Sequence, residues 1–333
     1  MSDPSTNHPF DLSDIWLETF TSHIFPGNKI ILSSFTGNRS TDYWQYRYYK
    51  KPNVGRLKAT AILPVANYYT AYNYPLYSKG GIKLYNHFYD ELSRHYWDFL
   101  DFGPIPDDST IVNEIINAAK NRGLFCETYY QHTNWYLLLN SRSFEEYVTS
   151  LPKRVRNTIK RKGSKLNATP SAELIIYSGT DAEKHIEQFQ EVYEKSWKSE
   201  EGHPEFITDI MVQFAKLGWI RLGFVYLDGI PIASQFWIVK DDTAFIYKLA
   251  YVEGFEKLSA GTLLTYKLME QVIKHDNVKR VDFLTGNDRY KKEWMSHCRE
   301  LWGVRVYNRT TKGLLLAGIA KTKQVIKKLI KNG

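Results

Sequence analysis

The stretch that decides the fold of this chain is residues 281–294, which read Val281-Asp-Phe-Leu-Thr-Gly-Asn-Asp-Arg-Tyr-Lys-Lys-Glu-Trp294. It begins as a short apolar strand, breaks at Gly286 and continues into a polar helix. Upstream, the segment Leu258-Ser-Ala-Gly-Thr262 opens a helical run from Leu263 to His275. Backbone N–H groups at the start of a helix bind phosphate groups well. The two glycine turns therefore predict a site for a molecule that carries a nucleotide.

The upstream turn is predicted to form a phosphate cradle, whose members are Leu258, Ser259, Ala260, Gly261, Thr262 and Leu263. Gly261 permits close approach of a phosphate to the backbone, and the helix contributes N–H donors and the positive end of its dipole. A predicted strand, residues 243–251, comes just before it. The alternative is an ordinary helix start that the Ser259 side chain caps.

These residues resemble the CelD-like acetyltransferase family of the GNAT superfamily, and FemAB-type peptidyltransferases are similar in layout. The resemblance is carried by Ser259-Ala260-Gly261, Asp282-Phe283-Leu284, Gly286, Tyr290-Lys291 and Trp294. It covers roughly residues 140–310 well and 10–140 weakly. Where such families carry Ser-Pro-Gly, this chain has Ser-Ala-Gly. The resemblance implies an α+β (mixed α/β) fold of tandem GNAT-like domains, with acyl-CoA bound by the second.

The domain prediction has four segments. They are a degenerate GNAT-like domain at 1–140, a basic helical connector at 141–168, a catalytic GNAT-like domain at 169–311 and a basic amphipathic tail at 312–333. The order of elements in the third segment is typical of an α+β domain. A short repeat, Trp97-Asp-Phe-Leu100 and Val281-Asp-Phe-Leu284, supports two copies. The first copy lacks the glycine turn, so we do not expect a second active site there.

The catalytic candidates are Asp282 and Tyr290. A carboxylate inside an apolar strand is costly unless it is paired or functional, and burial would raise its pKa toward that of a general base. The alternative is a structural carboxylate that binds backbone N–H groups or Lys291. Tyr290 could protonate the leaving thiolate, and Lys291 could bind a CoA phosphate or an acceptor carboxylate. The alternative for both Tyr290 and Lys291 is that they simply lie on a solvated face of the helix.

The substrate-binding candidates are Arg154, Arg156 and Trp197. The two arginines belong to the basic run 153–165, which could meet a phosphorylated acceptor or lie on a solvated helix. That helix would pack through an apolar stripe of Val155, Ile159 and Leu166. We predict one helix over 181–198, which ends beside Trp197. This tryptophan could line the acceptor cleft or equally belong to the core.

The net charge of +8 is concentrated in two segments. Residues 153–165 hold seven basic residues and no acid, residues 312–333 hold six lysines and no acid, and the remainder is mildly acidic. This distribution disfavours a general nucleic-acid-binding surface. In the tail, one face carries Leu315, Ile319, Ile326 and Ile330. Such a helix could lie on an anionic membrane or pack on the domain with its lysines in solvent.

The remaining composition excludes several classes of site. The two cysteines, Cys126 and Cys298, lie far apart, and the nine histidines show no paired ligand spacing, so neither a metal nor a disulfide framework is expected. The N-terminus lacks a basic, apolar signal, and no apolar run approaches the roughly 20 residues that span a bilayer. We expect a cytoplasmic protein, with peripheral membrane contact through the tail.

The expected function is an N-acyltransferase that moves an acetyl group from acyl-CoA to an amine. The resemblance alone suggests an amine on a sugar or sugar nucleotide of surface polysaccharide synthesis. The expected partner is thus a small-molecule or glycan-precursor acceptor. One alternative is a FemAB-like enzyme of cell-wall synthesis that uses aminoacyl-tRNA, the only case with a nucleic-acid partner. Another is a non-catalytic protein that binds membrane or RNA, which acyl-CoA would not stabilise.

Overall fold

The computed structural model describes residues 8–27, 30–36, 43–74 and 81–332. Residues 1–7, on which the localisation prediction partly depends, lie outside these ranges. In the first part of the chain the elements are α1 (Asp14–Ile24), β1 (Ile30–Thr36), β2 (Tyr43–Val54), β3 (Ala59–Pro64), α2 (Gly81–Leu92), β4 (Phe99–Pro106), α3 (Ile111–Asn121), β5 (Phe125–Leu138), α4 (Phe144–Ser150) and α5 (Lys153–Asn167). They continue with β6 (Ala172–Ser178), α6 (Thr180–Glu183), α7 (Ile186–Glu194), α8 (Pro204–Lys216), β7 (Ile220–Leu227), β8 (Ile230–Lys240), β9 (Thr243–Tyr251), α9 (Ala260–Lys274), β10 (Arg280–Asp282), α10 (Arg289–Trp294), β11 (His297–Tyr307) and α11 (Thr311–Asn332).

The chain forms two units with boundaries that differ from the predicted ones. One unit comprises Met1–Thr133 with Arg299–Gly333, and the other comprises Asn134–Cys298. The basic connector is therefore part of the second unit, and the tail is part of the first. Both differences have a tertiary cause: α5 packs into the second core through Val155 and Leu166, and β11 pairs with β4.

The first unit is a mixed sheet covered by helices. Its strands follow the order β1, β2, β3, β4, β11 and the first part of β5, with β3 and β4 parallel. Tyr85, Phe88 and Leu92 of α2 pack with Ile115 and Ala118 of α3 in one core cluster on this sheet. Helix α11 packs elsewhere, through Ala317 and Ala320, against Ala59, Ala61, Phe99 and Tyr307.

The second unit contains the predicted antiparallel hairpin and a parallel pair. Its sheet runs from residues 134–138 of β5 through β10, β9, β8 and β7 to β6. The β7–β8 turn is Asp228-Gly229, whose φ angles of 52° and 76° fit a two-residue hairpin. Helix α9 packs closely on β7 at Gly223. A Cβ added at this glycine would come within 2.8 Å of the Leu264 side chain.

Two local predictions in this unit have contrasting outcomes. The capping box at Ser143 and Glu146 is confirmed, because each side chain accepts a hydrogen bond from the other's backbone N–H. The single helix over 181–198 is wrong: the segment forms α6 and α7 and ends at Glu194. Beyond Glu194 the Ser196 hydroxyl donates to the Tyr193 carbonyl, and Ser196 forms a β-bridge with Val252. Pairing with the end of β9 thus replaces the last helical turn.

Candidate functional site

The turn before α9 leaves the helix start open. Ser259 has a left-handed backbone conformation, with φ 57°, and its side chain makes no cap hydrogen bond within the described part of the chain. The alternative that Ser259 caps the helix is therefore wrong. The first intrahelical bond runs from the Leu263 N–H to the Ser259 carbonyl at 3.1 Å. The N–H groups of the three preceding residues are thus donors that a ligand could use.

Gly261 lies on the open side of this turn. A Cβ built there meets nothing within 4 Å among the described residues. The carbonyl of Gly261 faces the other way and accepts hydrogen bonds from Gln235 Nε2 and Thr265 Oγ1, both at 2.9 Å. Gln235 is buried on β8, so it ties the first turn of α9 to the sheet. Sequence reasoning missed this glutamine, although a polar residue within an apolar strand was the available signal.

The other members of the predicted cradle contribute in different ways. The side chains of Ala260 and Leu263 are buried in the core, so they can serve a ligand only through the backbone. Leu258 is half-buried against the same core. Thr262 and Ser259 are partly exposed. The structure therefore brings all six residues together in one turn and leaves the polar ones and Gly261 accessible.

The parallel strands β9 and β10 diverge after a short stretch of pairing. They pair only at three positions, the last being Asp282 with Phe245, while β9 continues to Tyr251. The next residue after β10, Phe283, donates its N–H to the Trp135 carbonyl at 2.9 Å instead. A bulge at Tyr247 further distorts β9, because Ile246 and Lys248 pair with consecutive residues of β8. Backbone groups along this edge of β9 can pair with an extended ligand.

Asp282 is buried and engaged on both oxygens. Its Oδ1 accepts from Asn134 Nδ2 at 2.7 Å and from the Leu284 N–H at 2.8 Å. Its Oδ2 lies 3.1 Å from Arg280 Nη2, and only 1% of the side chain is exposed. Leu284 has φ 55°, a left-handed conformation that an ordinary residue adopts only when it is held there. The geometry therefore favours the structural alternative, in which Asp282 shapes the turn that follows β10.

Lys291 reaches the same turn from α10. Its ammonium donates to the carbonyls of Phe283 and Thr285 and lies 3.4 Å from Asp288 Oδ2. Burial lowers the pKa of Lys291, and the carboxylate of Asp288 opposes that shift. Gly286 has φ 112°, a backbone conformation that favours glycine, and a Cβ there would also come within 2.9 Å of this ammonium. In this conformation the charge of Lys291 supports the backbone rather than reaching outward.

Tyr290 lies on the outer side of α10. Its ring is 44% exposed and packs edge-on against Phe283, with centroids 5.6 Å apart. Partial burial and the nearby Asp288 carboxylate raise the pKa of Tyr290 to about 12. The hydroxyl therefore stays protonated at neutral pH, as a proton donor to a leaving thiolate must.

Helix α5 brings positive charge to the glycine turn. Its apolar stripe packs as predicted, with Val155 and Leu166 in the core and Ile159 partly buried against it. Lys162 donates to the carbonyl of Lys257, two residues before Ser259. Arg154 forms an ion pair with Glu293, although its side chain is 71% exposed, and Arg156 is also exposed. Both predicted arginines therefore lie on the solvent side of α5.

A second group of side chains, here the basic–aromatic cluster, lies along the end of β9. It consists of Tyr193, Trp197, Lys198, Glu201 and Lys248. The Lys248 ammonium lies 4.8 Å from the Tyr193 ring centroid and is ion-paired with Glu201. The Lys198 ammonium lies 5.7 Å and 5.9 Å from the rings of Tyr193 and Trp197. The bridge between Ser196 and Val252 positions the cluster.

Trp197 and Lys198 are the notable members of this cluster. Trp197 is 60% exposed, so the alternative of a core tryptophan is wrong. Burial lowers the pKa of Lys198 to about 8, helped by the ammonium groups of Lys248 and Lys291. A lysine with that pKa can exchange protons near neutral pH. Sequence reasoning found neither Lys198 nor Lys248, because only the fold brings their charges together.

Within the residues that the structure describes, no group of three or more His, Cys, Asp or Glu side chains could hold a metal ion. In the same residues, no helix has the length and apolarity needed to cross a membrane.

Part of the second unit is similar to a known family. Residues 153–292 match the family described as the acetyltransferase (GNAT) domain, and this range contains the glycine turn, β9, β10 and the basic–aromatic cluster. No curated protein sequence matches the chain significantly.

Similar solved structures extend over about nine tenths of the chain. FemX is 11% identical, with a TM-score of 0.64 over 92% of this chain and 93% of its own. A conserved protein of unknown function from Bacteroides thetaiotaomicron is 12% identical, with a TM-score of 0.58 over 90% and 91%. The C-terminal domain of a protein described as a lysylphosphatidylglycerol synthetase, from Agrobacterium fabrum, is 10% identical, with a TM-score of 0.54 over 90% and 94%. At these identities the likeness is one of fold, and it confirms the predicted mixed α/β architecture.

Proposed function

We infer that this chain, whose residues 153–292 match the family described as the acetyltransferase (GNAT) domain, is an N-acyltransferase that uses acyl-CoA. The observation that carries the proposal is the open start of α9. Its first N–H groups precede any helical bond, Gly261 is accessible, and Lys162 adds charge beside the turn. A pyrophosphate is recognised by this combination of backbone donors and a cation.

After the donor binds, the residues around the β9 edge would carry out the transfer of the acyl group. Acyl-CoA supplies the thioester, which an amine attacks. Backbone N–H groups of β9 beyond Phe245 would stabilise the negative charge that develops on the carbonyl oxygen. Neutral Lys198 would accept the proton that the amine loses, and Tyr290 would donate one to the departing sulfur. In this scheme Asp282 and Lys291 hold the turn between them.

The proposed acceptor is an amine on a sugar or sugar nucleotide, as in the synthesis of surface polysaccharides. The exposed ring of Trp197 could stack on a sugar. The donor and acceptor would then lie at successive positions along β9. Acetyl is the proposed acyl group.

The deciding experiment measures ligand-induced stabilisation and transfer together. The melting temperature would be followed with acetyl-CoA, and radiolabelled acetyl transfer would be measured to amino sugars and their nucleotide derivatives. Stabilisation by acetyl-CoA with transfer to an amine supports the proposal. A protein that acetyl-CoA does not stabilise at any tested concentration would contradict it.

A second candidate is a FemAB-like transfer from aminoacyl-tRNA. It is favoured by the whole-chain likeness to FemX, a FemAB-type peptidyltransferase, and by the exposed cations of α5. The same assays separate the two functions. An enzyme that needs charged tRNA would transfer a radiolabelled aminoacyl group and would ignore acetyl-CoA.

The exposed cations of α5 give a prediction that bears on either anionic substrate. Replacing Arg156, Lys160 and Arg161 together with glutamine should raise the KM of the anionic substrate about tenfold and weaken its dependence on salt, with kcat nearly unchanged. Arg154 is left intact because it pairs with Glu293. The matched control removes three exposed charges elsewhere, at Arg94, Lys120 and Lys216. If the two triple variants had equal kinetics, the cations of α5 would not bind the substrate, and α5 would be an ordinary solvated helix.

Lys198 gives a pH prediction. Because its pKa is lowered to about 8, the neutral form that accepts a proton predominates only above that pH. Turnover should therefore rise with pH and level off above about 8. Lys198→Arg keeps the charge but cannot act as a base, so it should lower kcat about 10²-fold and remove this rise. Lys195→Arg, at an exposed neighbouring position, is the control. An unchanged pH profile in Lys198→Arg would exclude Lys198 as the base.

A further inference from the structure

Helix α11 packs on the first unit by one narrow side only. The buried positions are Gly313, Ala317 and Ala320, which are small residues that let the helix lie close to the sheet. A Cβ added at Gly313 would come within 2.7 Å of the Asp98 carbonyl oxygen. The alternative of a packed helix is thus correct for this side alone.

The opposite side of α11 is apolar and exposed. It is formed by Leu314, Leu315, Ile319, Ile326, Leu329 and Ile330, which we call the apolar face. Their exposed fractions range from 42% for Ile319 to 76% for Ile330. At 100° per residue they occupy an arc of about 160° along the helix. Clusters of exposed large apolar side chains on this scale mark an interaction surface.

The charges that border this face are all positive. Lys321 lies beyond the Leu314 edge and Lys323 beyond the Ile330 edge, and both are exposed. The sequence from 312 to 333 carries six lysines and no acidic residue. An apolar face bordered by lysines is the pattern of helices that lie in the interface of an anionic bilayer. A second copy of the helix would instead bring like charges together.

We propose that the apolar face of α11 binds the surface of membranes that contain anionic phospholipids. The helix lies in the plane of the interface, with the apolar face toward the acyl chains and the lysines at the level of the phosphates. The small-residue side stays on the protein. The proposal stands on α11 alone and does not depend on the chemistry of the second unit.

The test is co-sedimentation of the full chain with vesicles. Binding is expected to phosphatidylcholine mixed with phosphatidylglycerol, to weaken with added salt, and to be much lower with phosphatidylcholine alone. Lys321→Gln with Lys323→Gln should lower the partition constant about 30-fold, the effect of two lysines at such a surface. Ile326→Ser with Leu329→Ser should lower it about tenfold or more. Point changes are preferred to deleting 312–333, because the deletion would also remove Ala317 and Ala320 from the core.

Matched controls make the outcome decisive. Leu217→Ser with Ile230→Ser removes two exposed apolar side chains elsewhere, and Lys120→Gln with Lys216→Gln removes two exposed charges. Both control pairs should bind vesicles like the parent. The proposal is overturned if the parent does not bind mixed vesicles, or if the controls lose as much binding as the α11 variants. It is also overturned if sedimentation shows a dimer that Ile326→Ser with Leu329→Ser dissociates, because a second copy then covers the face.

Discussion

Gly261→Val should abolish the stabilisation of the protein by acetyl-CoA while changing its unfolding without ligand very little. The open side of Gly261 faces no described atom within 4 Å, so the protein itself tolerates a side chain there. The added methyl groups would occupy the space next to the free N–H groups of α9, where a phosphate must approach the backbone. When the acetyl-CoA concentration is about 100 times the Kd, binding should stabilise the parent protein by about 2.7 kcal/mol. The variant should gain no measurable stability.

The matched control is Gly318→Val, another helical glycine whose added Cβ meets nothing within 4 Å of described atoms. It makes the same change from glycine to valine, which is a better helix former than glycine, without touching the turn. Its acetyl-CoA titration should match that of the parent. If Gly261→Val retained the parent's affinity in a calorimetric titration, the phosphates would bind elsewhere and the proposed site would be misplaced.

Asp282→Asn should lower the free energy of unfolding by about 3 kcal/mol, the low end expected for breaking a buried ion pair, because Arg280 is partly exposed. In one orientation, the asparagine amide would point its NH2 group at the Arg280 guanidinium, which is also a donor. In the other orientation, the NH2 group would replace the oxygen that accepts the Leu284 N–H. Either choice leaves a buried polar group without its partner. Chemical denaturation of the parent and variant measures the difference directly.

Asp181→Asn is the control, because Asp181 also faces a cation, Lys184 at 2.8 Å, but at an exposed site. Its unfolding should differ from that of the parent by less than about 1 kcal/mol. If Asp282 acted as a general base, as the sequence analysis proposed, the variant would show a different combination of effects on unfolding and turnover. A variant at Asp282 that unfolds like the parent, yet loses about 10²-fold in kcat with unchanged donor affinity, would support base catalysis over a structural role.

The predictions that succeeded from the sequence were those with local causes. The Asp228-Gly229 hairpin needs left-handed backbone that these two residues adopt readily, and the Ser143 capping box satisfies its N–H groups within one helical turn. The helix start at Ser259 to Gly261 was found for the same reason. The exposed apolar face of α11 also follows from its periodicity.

The predictions that failed, or could not be made, depend on contacts between distant residues. Helix α7 ends early because Ser196 pairs with Val252, and that bridge places Trp197 and Lys198 beside β9. The pKa of Lys198 is lowered by burial and by Lys248 and Lys291, which are far away in sequence.

The amino-acid sequence by itself thus determined most of the order of elements, the glycine turn before α9 and the segregation of charge, because each is set by backbone preference or by periodicity within a few residues. Only the tertiary structure decided what the polar residues of the site do. Asn134 and Arg280 converge on the carboxylate of Asp282, and Lys291 faces inward to carbonyls of the turn. The role of a buried charge is set by the partners that folding brings to it, and a single sequence does not encode those partners locally.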